Sequence, residues 1–172
     1  MLFLDEAFIE LSDPAESLID IHDDHLFLIR SLTKSFAVPG LRFGYGFGDP
    51  GLVARIEVAR PPWSVNAYAE SFAISAFHHY KDLEQSRARI AEEREWVSGE
   101  CTNLGLGVHP SSANFLLLDV KTPAPALCQR LLAHDILVRD CSSFGLPFSI
   151  RVAIRSRVEN RRLIDALSVC LR

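Results

Sequence analysis

Residues Ser31–Tyr45 read SLTKSFAVPGLRFGY and overlap the end of the apolar run HLFLIRSL at 25–32. That run is short, apolar and bounded by breakers, which reads as a buried strand. A single lysine, Lys34, then stands among the hydroxyls of Ser31, Thr33 and Ser35, with Val-Pro-Gly and Arg42 close behind. A lysine leaving a buried strand is expected to lose water, a setting that favours a neutral, nucleophilic amine. The plain alternative is a solvated loop charge. The residues around Lys34 decide between the two.

Composition narrows the field. The chain has 172 residues, 48% of them apolar and 23% charged, enough for one well-packed domain or one and a half small ones. A formal net charge of −4 offers no basic face for nucleic acid. The four cysteines, at 101, 128, 141 and 170, form no C-x-x-C pair and read as reduced thiols of a cytoplasmic protein. No apolar run approaches membrane-spanning length, and the six histidines lack H-x-x-x-H spacing, so neither a membrane nor a metal site is expected.

Around the lysine stretch the chain alternates. Leu2–Leu4, Phe27–Arg30 and Phe43–Gly46 read as strands, and a helix follows the turn at Asp49-Pro50-Gly51 until Pro61-Pro62 stops it. From Asn66 a long helical stretch is expected to run to about Gly105. Beyond it, GVHPSSANFLLLDV, ILVRDC and SIRVAIR are strand candidates, with helices at PALCQRLLAHD and VENRRLIDALSVCLR. The organisation read from this is an α/β region, 1–81, followed by a small α+β unit, 82–172. The opening Met1-Leu-Phe-Leu4 is already a core-like strand, which reads as a truncated start.

Three features fall at the ends of apparent strands, where α/β sheets place ligands. Asp5 closes the first, Ser31, Thr33 and Lys34 close the second, and Arg42 follows in the same turn region. Two hydroxyls, an ammonium and a guanidinium suit a phosphate monoester, and a carboxylate suits a protonated ring nitrogen. Together they describe a pocket for pyridoxal 5′-phosphate (PLP).

The segments DEAFIEL, SLTKSFAVPGLRFGYG, ANFLLLDV, ILVRDCSSFGLP and IRVAIRSRVENRRLIDAL resemble the second half of a fold-type I PLP enzyme of the histidinol-phosphate aminotransferase-like group. Within that group, DEAFIEL, PPWSVNAYAE and RVAIRS are most similar to the L-threonine-O-3-phosphate decarboxylases of cobalamin biosynthesis. The resemblance implies part of a three-layer αβα large domain, then a small α+β domain. It implies that Lys34 holds the cofactor aldehyde, Asp5 its ring nitrogen, and Arg42 with Ser31 and Thr33 its phosphate. Phe8 stands where many relatives carry a tyrosine whose hydroxyl bonds the cofactor's 3′-oxygen, which implies that this bond is absent. Arg151 matches the receiver of the substrate carboxylate, while Arg139 or Arg155 would anchor a substrate phosphate.

Trp63 and Asn66 are candidates for lining the substrate pocket, with core packing the alternative for Trp63. The implied reaction is decarboxylation of a phosphorylated amino acid. Histidinol-phosphate aminotransferase activity is the alternative, and a catalytically silent folded fragment is an alternative of another class. The group also implies a homodimer, with FGDPGLVARI or the PPWSVN loop near the interface. Its missing half would supply further cofactor contacts, so weak PLP binding or none is expected of this chain.

Overall fold

Alternation along Leu26–Arg30 buries Leu26, Leu28 and Arg30 on one face of a strand, β2. In the computed structural model, which describes residues 1–171, β2 is the middle strand of a three-stranded sheet. β1 (Leu2–Asp5) lies parallel to it, with Asp5 opposite Ile29, and β3 (Tyr45–Gly48) lies antiparallel. The first two strands stand where the sequence places them. The third begins two residues later than the expected Phe43–Gly46, because Arg42 turns the chain at φ 56° and the ladder starts only with Tyr45 opposite Arg30. Gly46 and Gly48 then lie under the Phe27 ring, where a Cβ would come within 2.5 and 2.6 Å of its carbons.

The chain divides into two compact units, Met1–Arg87 and Ala88–Arg172. In the first, a single turn of helix, α1 (Leu32–Ser35), follows β2 and carries Lys34. It ends in a Schellman pattern: Val38 N–H donates to Thr33 O, and Ala37 N–H to Lys34 O, with Ala37 at φ 53°. Asp49 caps α2 (Pro50–Ala59) by accepting from Gly51 and Leu52 N–H, with Pro50 at the first helical position. Asn66 caps α3 (Ala67–His78). The expected continuous helix from 66 to 105 is broken here. α3 ends at His78 and α4 (Asp82–Asn103) restarts four residues later, and the break turns Tyr80 inward onto buried polar groups. Leu32, Ala73 and Ala76 form a small core with Phe36, Phe43, Tyr45 and Phe72 around it.

The second unit is built on an antiparallel sheet in the order β4 (Gly107–Val108), β5 (Phe115–Asp119), β7 (Ser149–Ala153), β6 (Arg139–Asp140). The run GVHPSSANFLLLDV therefore makes two strands rather than one. Ser111 closes the bend between them by donating to Phe115 O and accepting from Ala113 N–H. Leu116, Leu118, Ile150 and Val152 point to one face and pack with Ala124, Leu127 and Leu131 of α5 (Ala124–Leu132) and Leu163, Ile164 and Leu167 of α6 (Arg157–Cys170). Burying a leucine-sized side chain fully contributes about 1.5–3 kcal/mol, so this cluster holds the unit together. The helix expected through Arg172 ends at Cys170, and Arg172 itself lies outside the described residues. Among the described residues no helix is long and apolar enough to cross a membrane, and the four cysteines are free thiols.

Candidate active site

β1 and β2 run parallel, so their C-terminal ends share one edge of the sheet, and the chain leaves that edge through the segments bearing Phe8 and Lys34. Asp5 is exposed at the end of β1, where one oxygen accepts from Ala7 N–H at 2.8 Å. Lys34 Nζ lies 5.4 Å from the centre of the Phe8 ring. Its side chain is exposed rather than stripped of water, because α1 lifts it off the strand. The Ser31 and Thr33 hydroxyls lie 2.7 Å apart, and Arg42 Nη1 donates to Pro39 O at 3.0 Å. An open cleft of about 330 Å³ is lined by Asp5, Glu6, Phe8 and Ile9, so of these groups Asp5 and Phe8 border it and Lys34, Ser31, Thr33 and Arg42 do not. A larger one, about 430 Å³, lies near Ile21, Asp23, Phe47 and Asp49 and contains none of the candidate cofactor- or substrate-binding residues.

Beneath the edge runs a polar network that sequence reasoning missed. Arg30 donates through Nε and Nη2 to Glu6 Oε2 at 3.0 and 2.9 Å, through Nη2 to Ser17 Oγ at 2.7 Å, and through Nη1 to Tyr80 at 3.3 Å. Tyr45 and Tyr80 both donate to Glu10 Oε1 at 3.0 Å. Glu6, Glu10 and Arg30 are all buried, and Glu10 Oε2 has no partner among the described residues. Burial opposes ionisation of Glu6, but hydrogen bonds from Leu18 N–H, Ser17 and Arg30 outweigh it and hold its carboxyl below the usual range. Burial, with Glu10 alongside, pushes the Tyr45 hydroxyl far up. The available signal was an arginine at an inward-facing position of an otherwise apolar strand.

The remaining candidates are dispersed. Trp63 is 95% exposed at φ 54°, so it is not core packing here. Asn66 is engaged structurally, since Oδ1 caps α3 and Nδ2 donates to Leu41 O at 3.0 Å. In the second unit, Arg139 and Arg151 face one another across β6 and β7. Like charges directly opposite repel. Arg151 lies over the Phe115 ring at 4.8 Å, and Arg139 lies over Phe144 at 5.2 Å and donates to Ser143 Oγ. Among the described residues neither has a carboxylate within ion-pair distance. Arg155 does: its guanidinium bonds Glu159 Oε1, and this contact with the Ser156 hydroxyl pulls the Glu159 pKa down to about 2. Asp23, Asp24 and His25 gather on the loop before β2, all exposed.

Residues 1–167 match the aminotransferase class I and II family. The chain is 35% identical to the histidinol-phosphate aminotransferase of Symbiobacterium thermophilum over 99% of its own length and 48% of that protein's. The crystal structure of L-threonine-O-3-phosphate decarboxylase from Porphyromonas gingivalis superposes with a TM-score of 0.88 at 26% identity, covering 98% of this chain and 54% of that one. That of histidinol-phosphate aminotransferase from Sinorhizobium meliloti in complex with pyridoxal-5′-phosphate gives 0.87 at 26%, covering 100% and 49%. The chain belongs to the class I and II aminotransferase family, has its fold-type I architecture, and spans about half the length of the curated relatives it matches. PLP is the cofactor of that family, and the groups at this sheet edge fit it. They comprise an amine without an ion-pair partner among the described residues, a carboxylate at the neighbouring strand end, a hydroxyl pair and an arginine.

Proposed function

We propose that this chain carries the catalytic half-site of a cytoplasmic, homodimeric enzyme that converts L-threonine O-3-phosphate to (R)-1-aminopropan-2-yl phosphate and carbon dioxide in cobalamin biosynthesis. Lys34 is the amine that would hold PLP, Asp5 would face its ring nitrogen, and Ser31, Thr33 and Arg42 its phosphate. When bound, the cofactor supplies a sink for the electrons of the bond broken at the substrate's α-carbon. Lys34 Nζ then carries the proton that the α-carbon takes up once carbon dioxide has left. Phe8 bounds the pocket beside that amine with a ring that offers no hydroxyl. The observation that carries the choice of substrate is the facing Arg139–Arg151 pair, two guanidiniums with no carboxylate of the described residues in ion-pair reach. A substrate bearing both a carboxylate and a phosphate answers that pair, because guanidinium groups hold either anion bidentately. Arg155 is the weaker phosphate anchor, since Glu159 already occupies it.

Histidinol-phosphate aminotransferase activity is a second reading, favoured by the 35% identity to such an enzyme. Carbon dioxide release from threonine phosphate, measured beside amine transfer from histidinol phosphate to 2-oxoglutarate in the assembled enzyme, separates the two. In the same assay Lys34→Ala is expected to abolish turnover, and Asp5→Asn to retain cofactor binding while cutting turnover sharply. Undiminished turnover by Lys34→Ala removes the assignment.

A further inference from the structure

Phe8 is flanked at two residues on either side by the most deeply buried carboxylates among the described residues, Glu6 (5% exposed) and Glu10 (2% exposed). Arg30 forms ion pairs with both, at 2.9 Å from Glu6 Oε2 and 3.9 Å from Glu10 Oε1, while their hydrogen bonds run to different elements. Glu6 is held by Arg30, the last residue of β2, and its own N–H donates to Ile29 O at 2.8 Å. Glu10 is held by Tyr45 at the start of β3 and by Tyr80 in the break between α3 and α4, while Arg87 Nε donates to its carbonyl at 3.2 Å. The Phe8 carbonyl is fixed as well, accepting from Leu11 N–H and Ser12 Oγ. Arg30 immediately precedes the Ser31–Ser35 turn that carries Lys34. One pair, Glu6–Arg30, thus joins the segment presenting the ring to the segment presenting the amine.

We propose that Glu6–Arg30 and Glu10–Tyr45/Tyr80 form a two-point clamp that positions the Phe8 ring against Lys34. These are positioning residues, acting through Phe8 and touching neither cofactor nor substrate. Stability alone is a poor account of such a network. Removing charges from water is costly, and buried ion pairs are often matched or bettered by apolar residues of the same volume. Fixed geometry is what the network provides in return, since a planar fork and two tyrosine hydroxyls leave the loop one arrangement. Its catalytic consequence rests on Lys34 being the cofactor's amine. An amine misplaced by about 1 Å costs on the order of 100-fold in rate.

The test reads the geometry without cofactor. With Lys34 Nζ over the Phe8 ring at 5.4 Å from its centre, the Lys34 ε-methylene signal is expected to be displaced upfield by the ring current, and Phe8→Leu in the same chain gives the size of that displacement. Tyr45→Phe/Tyr80→Phe removes only two hydroxyls, and Arg30→Lys keeps the charge but loses the fork. With folding checked by circular dichroism, each is expected to lose at least half of the displacement. Should Arg30→Lys fail to fold, the two-hydroxyl variant decides alone. Full retention of the displacement in the folded variants overturns the clamp, as does its absence from the parent chain. Reductive attachment of PLP to Lys34, measured in parallel, is expected to slow several-fold in the same variants. Attachment in the parent to Lys81 or Lys121 with Lys34 left bare, the displacement being intact, strikes the cofactor reading and leaves the clamp standing.

Discussion

Ala37 occupies the left-handed position that ends the turn bearing Lys34, at φ 53°. Helix ends of this type usually place glycine there, because a Cβ in that conformation costs about 1–2 kcal/mol. Part of this is returned by the greater entropy glycine loses on folding. Ala37→Gly is therefore expected to stabilise the first unit by about 0.5–1 kcal/mol in urea denaturation. A lower unfolding midpoint would show that the methyl group makes contacts outweighing the strain. Lys34, Asp5 and Arg42 stand out as candidates in the sequence because breakers and an apolar run frame them. Arg30 is not. One charge at the end of LFLIR fits a strand leaving the core equally well, and its partners at 6, 17 and 80 are fixed only by the fold.

Helix α6 shows how local chemistry sets a boundary that the sequence displays. Ser156 and Glu159 form a reciprocal capping box, and Glu159 also bonds the Arg155 guanidinium. With its pKa lowered from 4.5 to about 2, Glu159 contributes stability that is complete above about pH 4.5 and is lost as pH falls toward 2. Glu159→Gln keeps an acceptor for the box but removes the charge. Its melting temperature is expected to lie below the parent's at neutral pH, with the difference closing between pH 4.5 and 2. A difference independent of pH would contradict the role given to the ion pair. Elsewhere the sequence hides its boundaries. The α3–α4 break contains no proline or glycine, so helical periodicity runs straight through His79–Lys81. β3 starts late because a left-handed arginine delays the ladder, which no propensity reveals.

The first unit exposes Met1, Leu2, Phe3, Ile29 and Phe47, and β1 lies at the outer edge of its sheet. Exposed apolar groups beside an unpaired strand edge favour association. Light scattering at micromolar concentration is expected to report a dimer or larger species, and a clean monomer would count against the proposed homodimer. The central claim is chemical, and the sequence makes it sharply testable, because the chain has three lysines, at 34, 81 and 121. Borohydride reduction with PLP in excess makes even weak attachment permanent, and peptide mass mapping then locates it. A phosphopyridoxyl group is expected on Lys34, in clear preference to Lys81 and Lys121. Label on Lys81 or Lys121 with Lys34 left bare would contradict the claim.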